Sequence, residues 1–206
     1  VLGGSLFLFE GNPYGVDSYA RYFHACILAM GRWYLPVPAE WASCQSNIAV
    51  GFHEGRMFSQ YLPGTIMLNL LGLQVGSLPL VFGAVAAGTV GMAYLFGRRL
   101  FGHGTALLGA ALLAASPMFF LLSAIFMEHT PAAFFLMAAA WAGLRNLDKP
   151  RWGSAAGMGF LLGMACITRP LTALGVAGPL LVLWAYLHLR QGWSRWPQAA
   201  IALGAW

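Results

Sequence analysis

After Gly64 the charged residues come only in short clusters, and the stretches between them are apolar throughout. They occupy 77–96, 105–126, 131–144, 153–167 and 171–189, with a last one beginning near Gln198. A helix needs roughly twenty apolar residues to cross a bilayer core, and several of these stretches reach or approach that length. Only 8% of the chain is charged, against about a quarter in soluble domains. Lipid, not water, must solvate most of it. The expected fold is all-α: a polytopic transmembrane helical bundle forming a single domain over 1–206. The stretches 131–144 and 153–167 are short, about fifteen residues or roughly 22 Å. Extension through Thr130 and Thr168, or bilayer thinning, would let them span. Small residues such as Gly83, Gly88, Gly91, Gly153, Gly157 and Gly163 suit close helix approach in lipid.

One long segment breaks this pattern. Residues 10–64 hold four of the six acids, Glu10, Asp17, Glu40 and Glu54, together with Arg21, His24, His53 and Arg56. Asp17 opens an amphipathic helix. Tyr19, Tyr22, Phe23, Cys26, Ile27 and Met30 follow one helical face. Asp17, Arg21 and His24 mark the opposite face. Such a helix is too short and polar to span and is expected in the interface plane, ending at Gly31. Segments 47–52 and 57–61 flank His53-Glu54-Gly55-Arg56 as a short hairpin. Pro63 and Gly64 start an apolar helix over 65–73, juxtamembrane or re-entrant. Trp33, Trp41, Trp193 and Trp196 suit an interfacial belt.

Lysine and arginine give the orientation. Arg98, Arg99, Arg145, Lys149, Arg151, Arg190 and Arg195 fall on one side; Arg21, Arg32, Arg56 and Arg169 fall on the other. The positive-inside rule puts the first group in the cytoplasm. The 10–64 loop, the Glu128-His129 turn and the Thr168-Arg169-Pro170 turn then share the outer face. The net charge of +5 does not imply nucleic-acid binding, because the basic residues are scattered between apolar spans. Cys26, Cys44 and Cys166 lack zinc-ligand spacing; Cys26 and Cys44 share the loop and can pair in an oxidising compartment. The chain opens in one apolar run and stops in another, as expected of a piece of a longer protein.

The motifs resemble those of the GT-C membrane glycosyltransferases, in particular the protein O-mannosyltransferase and aminoarabinose transferase-like group, glycosyltransferase family 39-like. Val16-Asp17-Ser18-Tyr19 is similar to the family's acidic motif in the first outer loop, with Ser18 where many relatives carry a second acid. Tyr61-Leu62-Pro63-Gly64 resembles the loop exit. Ser116-Pro117-Met118 through Glu128-His129-Thr130-Pro131 resembles the segment that carries a second acid or His. Ile167-Thr168-Arg169-Pro170-Leu171 resembles a recurrent Thr-Arg-Pro, and Gly97-Arg98-Arg99-Leu100-Phe101-Gly102 an inner loop.

The resemblance implies sugar transfer from a polyprenyl-phosphate donor to a protein, lipid or glycan hydroxyl, with inversion, at the outer side of a bacterial inner membrane. Asp17 is the implied catalytic base, although Asp is also a favoured helix cap. Arg169 is the implied phosphate partner, the alternative being an Arg that snorkels to the interface. Arg21 either pairs with Asp17 at i,i+4 or binds phosphate. Tyr61 matches a donor-contacting position, or is an interfacial Tyr. Glu128 and His129 line an acceptor wall, hold a divalent cation as weak metal candidates, or form a solvated turn. No other cofactor is implied. The main rival is a transporter or flippase of a lipid-linked substrate. It would place charges at mid-membrane, and no span here carries one. A non-catalytic scaffold has no reason to bring an acid, a His and an Arg to one face.

Overall fold

The structure, a computed structural model, describes residues 1–41, 49–190 and 204. Its contacts form two compact units, Val1–Ala84 with Phe120–Met127, and Val85–Phe119 with Glu128–Trp206.

The first unit begins with α1 (Leu2–Phe9), which stops where Glu10 and Gly11 enter the left-handed region. A Cβ on Gly4 of α1 would run into the tip of the Phe120 ring, so a larger residue there requires that ring to move. Helix α2 (Val16–Ala29) follows, then β1 (Leu35–Pro36), β2 (Val50–His53) and β3 (Arg56–Ser59). The strands form an antiparallel sheet in the order β1-β3-β2. The expected hairpin is present and tighter than its apolar flanks suggested. His53 pairs with Arg56, which leaves Glu54 and Gly55 as a two-residue loop, φ 49° and 71°. Positive φ at both positions is the geometry that matches strand twist. Cys44, and with it any pairing to Cys26, lies outside the described residues, as do Trp193, Trp196, Arg195 and the last expected span.

Helix α3 (Pro63–Val75) extends the expected 65–73 helix at both ends. Pro63 starts it with a φ already suited to a helix, and Gly76 ends it at φ 76°. Helix α4 (Leu78–Phe101) begins in this unit, and Leu78 and Phe82 meet Phe126 in the core, the two rings 4.9 Å apart. Tyr22 of α2 and Leu68 of α3 pack on that cluster.

The orientation of α2 corrects one expectation. The helix was expected in the interface plane, an arrangement that turns the polar side of a helix to water. Instead Arg21 of that side is buried, with Ser18 beside it, while on the apolar side Ile27 is buried but Tyr19 and Met30 are exposed. The polar side points into the protein, where Tyr61, Met127 and the Ser59 N–H of β3 supply its partners.

The second unit holds the rest of α4, α5 (His103–Ala115), the start of α6 (Pro117–Ala124), α7 (His129–Asp148), α8 (Trp152–Thr168) and α9 (Pro170–Arg190). The expected single span 105–126 is a bent pair, α5 and α6, broken at Ser116. Pro117 is the reason: it disfavours helical ψ in the residue before it, and Ser116 has ψ 119°. The basic run 97–102 is not an inner loop, since Arg98 and Arg99 close the last turn of α4. Among the described residues two helices, α4 and Pro170–Leu187 of α9, are long and apolar enough to cross a membrane, or three spans if the bent pair is one.

Helices α7, α8 and α9 share a core of Leu136, Ala139, Met158, Leu162, Ala173 and Trp184. Trp184 Nε1 donates to the Gly143 carbonyl at 3.2 Å. A Cβ on Gly143 would lie 2.9 Å from Met158 Sδ and 3.3 Å from Trp184 Cδ1. Gly143→Val is therefore expected to cost about 1–3 kcal/mol through overpacking. Gly109→Val, where a Cβ meets nothing within 4 Å, makes the same change in helix propensity without the clash. Thermal melts of both variants check this; equal destabilisation would contradict the packing.

Candidate active site

The first unit gathers three of the sequence-predicted residues. Asp17 lies in the first turn of α2, where the helix start carries partial positive charge. It does not cap that helix: Gly15 stands at the cap position and no side chain makes the cap bond. Asp17 Oδ1 instead accepts a hydrogen bond from the Tyr61 hydroxyl, 44 residues on. Tyr61 is placed by the turn between β3 and Pro63, where its N–H donates to Ser59 Oγ at 3.2 Å. Arg21, one helical turn after Asp17, lays its guanidinium over the Tyr61 ring, 4.0 Å from the centroid. The carboxylate, phenol and guanidinium thus form one cluster, with the phenol shared by both charged groups.

Arg21 is only 3% exposed. A charge that deep is retained only with compensating partners. The Tyr61 face supplies one by cation–π attraction. Met127 Sδ lies 3.9 Å from an Arg21 terminal nitrogen and accepts from Ser18 Oγ at 3.2 Å. Ser18 and Met127 were not anticipated as site residues. A thioether beside a guanidinium leaves no signature in a sequence.

His24 closes the polar side of α2. Its Nδ1 accepts the Ser59 backbone N–H at 3.0 Å, which ties α2 to β3. That bond requires Nδ1 to carry a lone pair. Burial pushes the His24 pKa below its ordinary value. His53 and Glu54 form only an exposed pair at the hairpin tip, the solvated turn expected of them.

The second unit brings together the other predicted residues. Glu128 immediately precedes α7, His129 starts it, and Arg169 is the single residue between α8 and α9. Pro170 makes that corner, because the residue before proline is pushed out of the helical region. Arg169 accordingly has φ −146° and ψ 89°. Its N–H donates to the Ala165 carbonyl and its own carbonyl accepts from Ala173, so the backbone of the corner is pinned on both sides. Thr168 Oγ1 donates to the Met164 carbonyl at 2.7 Å. The Arg169 side chain reaches Glu128, Nε to Oε1 at 3.7 Å. The side chains are 32% and 12% exposed, so this pair is shielded from much of the water.

Among the described residues no group of three or more His, Cys, Asp and Glu can hold a metal ion. At Glu128 and His129, the weak metal candidates, the Arg169 guanidinium stands where a divalent cation would be repelled.

A family model described as dolichyl-phosphate-mannose-protein mannosyltransferase matches residues 64–205. The chain belongs to that family. No curated protein and no solved structure matches it. Family membership and the apolar helices make it an integral membrane glycosyltransferase of the GT-C type, drawing on a lipid-linked sugar donor. Glu128, His129 and Arg169 lie inside the matched stretch; Asp17, Arg21 and Tyr61 precede it.

The His24 anchor yields a pH test. The folded state binds its proton less readily than the unfolded chain, whose histidines titrate near about 6.5. The stabilisation is therefore complete above that pH and is lost as pH falls through the lowered folded value. The melting-temperature gap between wild type and His24→Gln should shrink on acidification from about pH 7.5 to 5. A gap that widens would contradict the neutral acceptor.

Proposed function

We propose that the chain moves a hexosyl or pentosyl group from a polyprenyl-phosphate donor to an acceptor hydroxyl at the outer face of a bacterial inner membrane, inverting the anomeric centre. The observation that carries this reading is the Asp17–Tyr61–Arg21 cluster. It fixes the direction of a carboxylate at the start of a helix inside a chain otherwise devoted to lipid.

In the reaction the acceptor oxygen bonds to the anomeric carbon as its proton passes to Asp17. A hydroxyl is a weak nucleophile, so removal of that proton lowers the barrier. The bond from the anomeric carbon to the phosphate oxygen breaks, and its electron pair leaves with the polyprenyl phosphate. That anion needs a fixed positive charge and not an acid. Arg169 supplies it, because a guanidinium fork matches phosphate oxygens. Glu128 holds Arg169 in position until the donor arrives. His129, beside Glu128, orients the acceptor. Tyr61 aims the carboxylate, and Arg21 holds the phenol in place. The acceptor is a protein, lipid or glycan hydroxyl.

The test uses the full chain in lipid with a synthetic polyprenyl-phosphate mannose. Arg169→Gln should lower transfer by about 100-fold or more, as loss of one transition-state charge contact does. Arg169→Lys should recover only part, since an ammonium lacks the fork. Acceptor preference should not change. A changed acceptor preference with unchanged donor dependence would remove Arg169 from the phosphate role.

A further inference from the structure

Helix α7 has a second chemical feature at its other end. From Glu128 to Asp148 the helix runs roughly 30 Å, about the thickness of a bilayer core. Around its far end lies an open cavity of about 600 Å³. Arg145, Lys149 and Arg151 line it, with Asp148 and Ser154. Asp148 does not cancel this charge locally, because Arg99 at the end of α4 pairs with it at 2.5 Å. The cavity therefore presents three further cations around one carboxylate that is already paired.

The rest of the lining is apolar. Trp141 of α7 and Leu161 of α8 line it about two helical turns from the loop. Arg145 lies over the Trp141 ring, 4.8 Å from its centroid. Stacking covers the face of a guanidinium and leaves its N–H edge for an acceptor. The loop that carries Lys149 and Arg151 is fixed from below. Asn146, fully buried, donates to the Arg151 carbonyl at 3.0 Å and to Ser154 Oγ at 2.7 Å. The backbone under the cations is therefore built, not merely a solvated charge run.

A ligand matched to these walls has an anionic, multi-acceptor head and an apolar tail. A soluble anion would use the cations and leave the Trp141–Leu161 wall unmatched. We propose that this cavity binds the phosphate headgroup of an anionic phospholipid, in the leaflet that faces the Arg/Lys-rich loops. By the positive-inside rule that leaflet is the cytoplasmic one, so the lipid is distinct from the sugar donor. Basic pockets at helix ends on this side favour such headgroups.

Native mass spectrometry of the detergent-solubilised full chain tests this. Phosphatidylglycerol, phosphatidylcholine and inorganic phosphate are the probes. Phosphatidylglycerol should bind saturably with one tight site, and phosphatidylcholine should not. Affinity should fall about fivefold for each cation removed in Arg145→Gln, Lys149→Gln and Arg151→Gln. These side chains are exposed, so the variants fold. Arg98→Gln removes a charge at the same end of the molecule, outside the cavity lining, and should change affinity by less than any of the three. An equal loss with Arg98→Gln would mean diffuse attraction and would overturn the site. So would equal binding of phosphatidylcholine, or no loss in the three variants. Displacement of the lipid by inorganic phosphate at matching concentration would assign the cavity to a soluble anion instead.

Discussion

A chain with few charges that turns the polar side of a helix inward must give each group on that side a partner. Helix α2 does this, and its position depends on it. Ser18 meets Met127, His24 takes a backbone N–H from β3, and Asp17 takes the phenol of Tyr61. Arg21 lies on the other side of that phenol, on its ring face. Each contact joins α2 to a segment far off in sequence. The apolar side of the same helix is split: Tyr22 and Ile27 pack inward, while Tyr19 and Met30 remain exposed. An unsatisfied buried group would cost more than a typical net hydrogen bond gains, so the arrangement is close to all-or-none.

The second unit relies on a different constraint. A proline directly after a helix end makes a corner one residue long. At such a corner the intervening side chain has little freedom of origin. Arg169 occupies that residue, with its backbone bonded before and behind. Placing a cation on a pinned corner fixes where its side chain starts, so less backbone entropy is lost when an anion binds. Glu128 serves the same end from the start of α7.

Much of this could be read from the residues, and the failures have physical causes. The Thr-Arg-Pro corner and the Glu-His turn were legible because proline and helix ends act locally. The hairpin tip was legible from Gly55, which accepts positive φ without strain; Glu54, a residue type that rarely adopts it, gave no sign that the loop closes to two residues. The helix over 105–126 was read straight through Ser116-Pro117, where apolarity concealed a local break. The burial of Arg21 was missed because a polar stripe on a helix ordinarily means water. The Tyr61–Asp17 bond joins residues 44 apart and has no periodic trace. Composition suggested the loop as the place of work, and only the fold indicated which of its side chains meet.

Single-turnover sugar transfer by Asp17→Asn, with donor binding measured on the same preparation, tests the central claim most directly. Asparagine keeps the shape and still accepts from Tyr61, but it cannot take the acceptor's proton. The account predicts that transfer falls by at least about 100-fold while donor affinity is unchanged. Transfer at the wild-type rate by this variant would contradict it.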